Sequence, residues 1–308
     1  MKHLFIIGNG FDLAHGLPTK YLDYRTFLKN SPENDYFCMN MEHTYGLGEF
    51  TDYWWQDFES NLGEGDYFEA DFEAMAETAI GEMVTDDGEE MYDVEETLRD
   101  HFEPYYNFMN KLNETVLQWV ESIDITGIKP IFHKIIAKDN YFLTFNYTNV
   151  LEDVYNIPRD KVCHIHGSAT DRFVIMGHGN KEAIEKYKKA ADEKIERWDK
   201  NGAEVSQGIC NFYRASFKNT EEIISMNEFI FNKYKEVSEI HIFGHSLGEV
   251  DMPYFQEVKK RVKKTANWYF YVFCDVTELP EKKEELYKKI ECLKIEHKYI
   301  HVLQTIKF

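Results

Sequence analysis

The chain has 308 residues, 43% hydrophobic and 16% aromatic, enough to bury a substantial core in one large domain or two modest ones. A formal charge of −20 argues against nonspecific binding to a phosphate backbone. No run approaches the ~18 apolar residues of a membrane span, and Met1 is followed by no cleavage-site pattern, so a soluble cytoplasmic protein with no membrane partner is expected. Cys38, Cys163, Cys210, Cys274 and Cys292 are scattered without a Cys-x-x-Cys pair, which predicts reduced thiols, no disulfide framework and no zinc site.

The first element is a strand, Leu4 to Ile7, running into the turn Gly8-Asn9-Gly10 and a second corner at Gly16-Leu17-Pro18. Glycine accepts φ > 0 and lets backbone N–H groups approach a phosphate, and the first strand of an α/β chain is a common place for a nucleotide. A tight turn with no ligand is the alternative reading of this stretch taken alone. Beyond it the charge is uneven, with 23 Asp and Glu against the single base Arg99 between residues 31 and 103. That asymmetry marks residues 20 to 130 as an acidic helical insertion, either a solvated surface or a docking face for a basic protein partner or a second copy in a homo-oligomer. Met91, Val94, Leu98, Phe102, Tyr105, Met109, Leu112, Val116 and Val120 form one apolar stripe at helical spacing, which Pro104 should kink or divide. Tyr53, Trp54, Trp55, Phe58, Tyr67, Phe68 and Phe72 supply enough apolar area for the insertion to fold.

Further strands read at Tyr141 to Phe145, Ile240 to Phe243 and Trp268 to Phe273, with candidate edges at Val162 to Ile165, Phe173 to Met176 and His301 to Ile306. These are continuous apolar runs separated by helical patterns, as in a parallel sheet covered on both faces. The expectation is an α/β, Rossmann-like, mostly parallel domain of residues 1–19 and 131–308 interrupted by the helical insertion. Lys181 to Trp198 reads as a solvated helix with weak ion pairs. The basic cluster Lys259, Lys260, Arg261, Lys263 and Lys264 reads as favourable charge near a helix C-terminus.

Three motifs follow strands: Thr144-Phe145-Asn146-Tyr147-Thr148-Asn149, His164-Ile165-His166-Gly167-Ser168, and Gly244 to Asp251. The carboxyl ends of parallel strands share one edge, so residues near 8, 146, 166 and 244 are expected to converge on one pocket.

Gly8-Asn9-Gly10-Phe11-Asp12 and His15-Gly16-Leu17-Pro18 are similar to the sirtuin first loop. Thr144 to Thr148 resembles the sirtuin Thr-Gln-Asn-Ile-Asp, His166-Gly167 its His-Gly, and Gly244-His245-Ser246-Leu247 its Gly-Thr-Ser-Leu, all in the family's order. The wording Asn-Gly-Phe-Asp-Leu-Ala-His-Gly-Leu-Pro-Thr, with Phe-Asn-Tyr-Thr and Gly-His-Ser-Leu-Gly-Glu-Val-Asp, looks more closely like the bacteriophage abortive infection AbiH family. That resemblance implies an intracellular phage-defence protein on a sirtuin-like scaffold, with NAD or a related nucleotide as cofactor or substrate. It implies binding by Gly8, Asn9, Gly10, Phe11, Gly16, Pro18, Thr148, Gly167, Gly244, Ser246 and Asp251, and catalysis by Asn146, His166 and Asp12. Cleaving a nicotinamide–ribose bond needs a base near neutral pH, which suits His166, and an amide to position the nucleophile, which suits Asn146. The chain departs from the sirtuin pattern at Thr148, which replaces an aspartate, and at Asp12, which replaces a serine. A carboxylate there repels a pyrophosphate unless it contacts ribose or a metal.

Three other readings use the same residues. Gly244 to Gly248 fits Gly-x-Ser-x-Gly after a strand, with Asp275 and His297 or His301 completing a serine-esterase order around Ser246. His164 and His166 alternate on a strand and, with His178 and Asp12, form a candidate metal set. The third is a non-catalytic nucleotide sensor or assembly protein.

Overall fold

The computed structural model describes residues 2–48, 51–83 and 94–305. The chain forms two compact units, one from Met1–Asp23, Leu117–Ile175 and Asn219–Phe308, the other from Tyr24–Val116 and Met176–Lys218. The first holds the strands β1 (Lys2–Ile7), β2 (Tyr141–Thr144), β3 (Val162–His164), β4 (Gly167–Ser168), β5 (Phe173–Val174), β6 (Val237–Phe243), β7 (Asn267–Phe273) and β8 (Ile300–Thr305). Six of them form a parallel sheet in the order β3-β2-β1-β6-β7-β8. The chain builds outward from β1 through β2 and β3, returns to β6 on the other side of β1, and continues outward to β8. This is the doubly wound Rossmann-like order, and its direction reverses between β1 and β6.

Burial on both faces explains the continuous apolar runs. Leu4, Ile6, Leu143, Ile240, Ile242, Trp268 and Phe270 pack on one face with Ile223, Phe231, Phe255, Val258 and Leu286 from helices. Phe5, Ile7, Phe142 and Phe243 pack on the other with Phe11, Phe132, Val150 and Leu151.

The strand boundaries differ from expectation where polar residues sit at strand ends. β6 begins at Val237, ahead of Ser238 and Glu239, and β2 stops at Thr144. Phe173 to Met176 adds no edge to the large sheet, because Phe173–Val174 pairs antiparallel with Gly167–Ser168 in a separate hairpin. β8 does form the edge read at His301 to Ile306, with Ile306 outside the described residues.

The helical unit has an aromatic core. Trp55 stacks on Phe58 at 4.7 Å, Tyr24 meets both edge-on, Phe72 stacks on Phe102 at 4.3 Å and Phe68 on Phe212 at 3.8 Å. Such pairs contribute beyond area alone and allow so acidic a region to fold. The helix Val94–Asn107 runs through Pro104, and the break comes afterwards in the 3-10 turn Phe108–Lys111. Proline removes one N–H, and buried Phe102 and Met109 on either side hold the segment in place. Met91 of the expected stripe lies outside the described residues. Lys181–Glu196 is less solvated than its charges suggest: it packs on Lys200–Ala215 and buries Ala183, Tyr187 and Ala191. Asn180 and Asp199 cap these two helices by accepting from the backbone N–H groups of Ala183 and Gly202. Among the described residues no helix is long and apolar enough to cross a membrane.

Candidate functional site

At the β1/β6 reversal the loop after β1 meets the loop after β6 backbone to backbone. Gly8 N–H donates to the Phe243 carbonyl at 2.9 Å, Gly10 N–H to the Gly244 carbonyl at 2.7 Å, and Phe11 N–H to the Gly8 carbonyl at 2.9 Å. A Cβ at Gly8 would lie 2.6 Å from His245 Cα, and one at Gly10 would lie 2.6 Å from Gly244 Cα. The glycines are therefore required by loop-on-loop packing, and three amides of the turn are already spent on internal carbonyls. Asn9 ties the following corner by donating from Nδ2 to the Thr19 carbonyl at 2.6 Å, just past Pro18.

Polar side chains gather beside this junction in two groups. In the first, Asp12 on the short helix Asn9–Ala14 is 2% exposed and accepts from the Thr148 hydroxyl at 2.6 Å. Buried Asn146 donates from Nδ2 to the Gly8 carbonyl at 3.2 Å. Burial pushes the Asp12 carboxyl up to about 6, against the opposing pull of the Thr148 hydroxyl and the Asn146 amide. Its Oδ1 is buried with no hydrogen-bond partner among the described residues. A buried carboxyl raised towards neutral pH is suited to proton transfer.

The second group surrounds Asp251, which stands between two histidines: Oδ1 is 3.8 Å from His166 Nε2 and Oδ2 is 3.5 Å from His245 Nε2. His166 Nε2 also lies 3.1 Å from the Tyr254 hydroxyl, and Phe145 meets both histidine rings edge-on. Sequence reasoning assigned no role to His245 or Tyr254. The available signal was the Asp251-x-x-Tyr254 spacing, one turn along the helix that follows the motif. Gly167, next to His166, has φ of 80° and lies so tightly under the Phe173 carbonyl that no side chain fits.

A cavity of about 270 Å³ borders the first group, lined by residues including Thr148, Asn149, Ala169, Thr170, Ile123 and Ile125. It falls at the small end of ligand pockets, typically ~300–1,000 Å³, and suits a nucleoside-sized group rather than a whole dinucleotide.

The candidate metal set is not assembled. His164 uses Nδ1 on the Asn146 carbonyl and Nε2 on Glu152, each at 3.0 Å. His178 lies in the helical unit, with Nε2 on the Tyr213 carbonyl at 2.9 Å and Nδ1 accepting from Asn180 N–H at 3.0 Å.

The esterase triad is not assembled either. Ser246 is exposed, and the left-handed residues of its loop are Gly244 and Leu247 rather than the serine. His301 bonds Asn267 at 3.0 Å at the amino end of β7, and His297 precedes β8, so both lie at the sheet edge away from Ser246. Treatment with a fluorophosphonate should leave Ser246 unmodified by mass spectrometry, and Ser246→Ala should change unfolding free energy by no more than about 0.5 kcal/mol. A covalent adduct on Ser246 would restore the esterase reading.

A family model described as Bacteriophage abortive infection AbiH matches residues 4–272. No curated protein and no solved structure matches the chain.

Proposed function

Because the chain belongs to the bacteriophage abortive infection AbiH family, its role lies in defence against phage, and we propose that it acts by binding NAD or a related nucleotide at the β1/β6 edge and cleaving its N-glycosidic bond. The observation that carries this reading is the placing of two buried polar groups, Asp12 with Thr148 beside Asn146, and His166 with Asp251, on segments that follow the carboxyl ends of β1, β2, β3 and β6 in a doubly wound sheet.

In this scheme Asn146 orients the attacking water and His166 accepts its proton, with Asp251 stabilising the imidazolium that forms. The water oxygen bonds ribose C1′ while the C1′–N bond breaks and its electron pair leaves on the base. Asp12 takes a ribose hydroxyl, the role that reconciles a carboxylate with a nucleotide site. His166→Ala and Asn146→Ala should each slow release of the base by about 10²-fold, measured by chromatography on purified protein and on phage-infected cells. Undiminished NAD loss in both variants would sink the mechanism.

A non-catalytic nucleotide sensor is the second reading, favoured by the burial of Asp12, Asn146 and Thr148 and their bonds to one another and to the Gly8 carbonyl, which hold these side chains in structural contacts. Thermal stabilisation by NAD, ADP-ribose or ATP without turnover would assign it.

A further inference from the structure

At the opposite, amino edge of the sheet, we propose that His3, Glu239 and His241 form a binding site for a single divalent transition-metal ion of the zinc class. His3 on β1 is the register partner of Glu239 on β6, and Glu239 and His241, two residues apart, project to the same face. Among the described residues, this is the set of three potential ligands whose donor atoms all lie within 4.8 Å of one another.

The spacing fits a tetrahedral ion. His3 Nδ1 lies 3.2 Å from His241 Nε2 and 3.3 Å from Glu239 Oε2, and the last edge, His241 Nε2 to Glu239 Oε2, is 3.5 Å. Zinc bonds of ~2.0–2.2 Å at tetrahedral angles require donor atoms about 3.3–3.5 Å apart. An ion above the centre of this triangle meets all three donors with little movement of any side chain.

The surroundings are those of a metal ligand set. Tyr271 OH lies 3.1 Å from His241 Nδ1, the contact that fixes which ring nitrogen faces the ion. Phe5 and Tyr269 stack on the His241 ring at 4.8 and 4.9 Å and lock its orientation. The His3 and Glu239 side chains are 29% and 25% exposed, so the fourth position faces solvent and takes a water. Two imidazoles and one carboxylate suit Zn²⁺, and also Co²⁺, Ni²⁺ or Cu²⁺, over Mg²⁺ or Ca²⁺. The expectation of no zinc rested on missing cysteine pairs, and this site uses none. By joining β1 to β6, the ion would fasten the two central strands at the end remote from Asp12 and His166, so the site stands independently of the nucleotide reading.

The test uses the full chain, freed of any histidine tag and stripped with a chelator, titrated with Zn²⁺ and Co²⁺. One equivalent should bind, with the visible absorption of tetrahedral Co²⁺ and a raised melting temperature. His3→Gln and Glu239→Gln, both at half-exposed positions, should each weaken binding by on the order of 100-fold, and Tyr271→Phe by about 10-fold through loss of ring orientation. His133→Gln, on an exposed histidine elsewhere, should leave binding unchanged. Absence of stoichiometric binding to the parent chain, or binding that survives both ligand changes, would overturn the site.

Discussion

Gly244→Ala is expected to destabilise the protein by about 2–5 kcal/mol. Gly244 has φ of 62°, where an L-residue pays roughly 1–2 kcal/mol of backbone strain. An alanine Cβ would also stand 2.4 Å from the Phe11 nitrogen and 2.5 Å from the Gly10 carbonyl carbon. Both are backbone atoms that cannot rotate away, and overpacking of this kind typically costs a further ~1–3 kcal/mol. In a domain of this size the melting temperature should fall by on the order of 10 °C. Gly16→Ala is the matched control, because Gly16 has φ of 78° but nothing within 4 Å of the added carbon. Chemical denaturation of the two variants separates strain from contact. Equal losses would mean that the two glycine loops do not press on one another.

Asp12→Asn should move stability the other way. The Asp12 carboxyl titrates at about 6 in the folded chain against 3.8 as its ordinary value. The folded state therefore holds the proton more tightly, and stability decreases as pH rises through that window. Below pH ~4 the contribution is fully present; above pH ~6 it is lost, a difference of about 3 kcal/mol for two pKa units. Asparagine carries no charge to desolvate and can still accept from the Thr148 hydroxyl. Urea unfolding at pH 7.5 should show the variant more stable by about 1–3 kcal/mol, with the advantage shrinking towards pH 4. A variant that is more stable yet no longer binds or cleaves nucleotide would mark Asp12 as a residue kept for function at the expense of stability. An advantage independent of pH would remove the ionised carboxylate from the account.

The central strands were legible because burial on both faces leaves no polar alternation: Leu4 to Ile7 and Ile240 to Phe243 are continuous apolar runs. Val237 to Glu239 escaped notice because Ser238 and Glu239 look like loop residues, although they complete β6 and bring Glu239 beside His3. The His3, Glu239 and His241 cluster was invisible for a related reason, since its members come from distant parts of the chain and meet only through strand register. The break after β1 is where the sequence puts it, but Asn9 and Gly10 open the short helix Asn9–Ala14 in place of the expected turn, neither Gly8 nor Gly10 has a positive φ, and the sequence could not show that both make room for Gly244 and His245. The motifs at Asn146, His166 and Asp251 pointed to one edge of the sheet, whereas the pairing of Asp12 with Thr148 had no signature, the two lying in separate loops. Lys181 to Trp198 was read by its charges, which are real, while Ala183, Tyr187 and Ala191 at helical spacing recorded the face that packs.

The order of the sheet also dictates when the protein becomes whole during synthesis. β1 leaves the ribosome first, yet its two neighbours begin only at Tyr141 and Val237. At typical elongation rates the β6 partner follows Ile7 by about 10–50 s, during which the apolar segment Leu4 to Ile7 has no strand on that side. Such long-range pairing slows folding and leaves a nascent chain dependent on holding factors. It also means that the loop carrying Gly244 joins the short helix carrying Asp12 only after more than two hundred further residues have been made. A truncated chain ending before Val237 should therefore be inert as well as unstable.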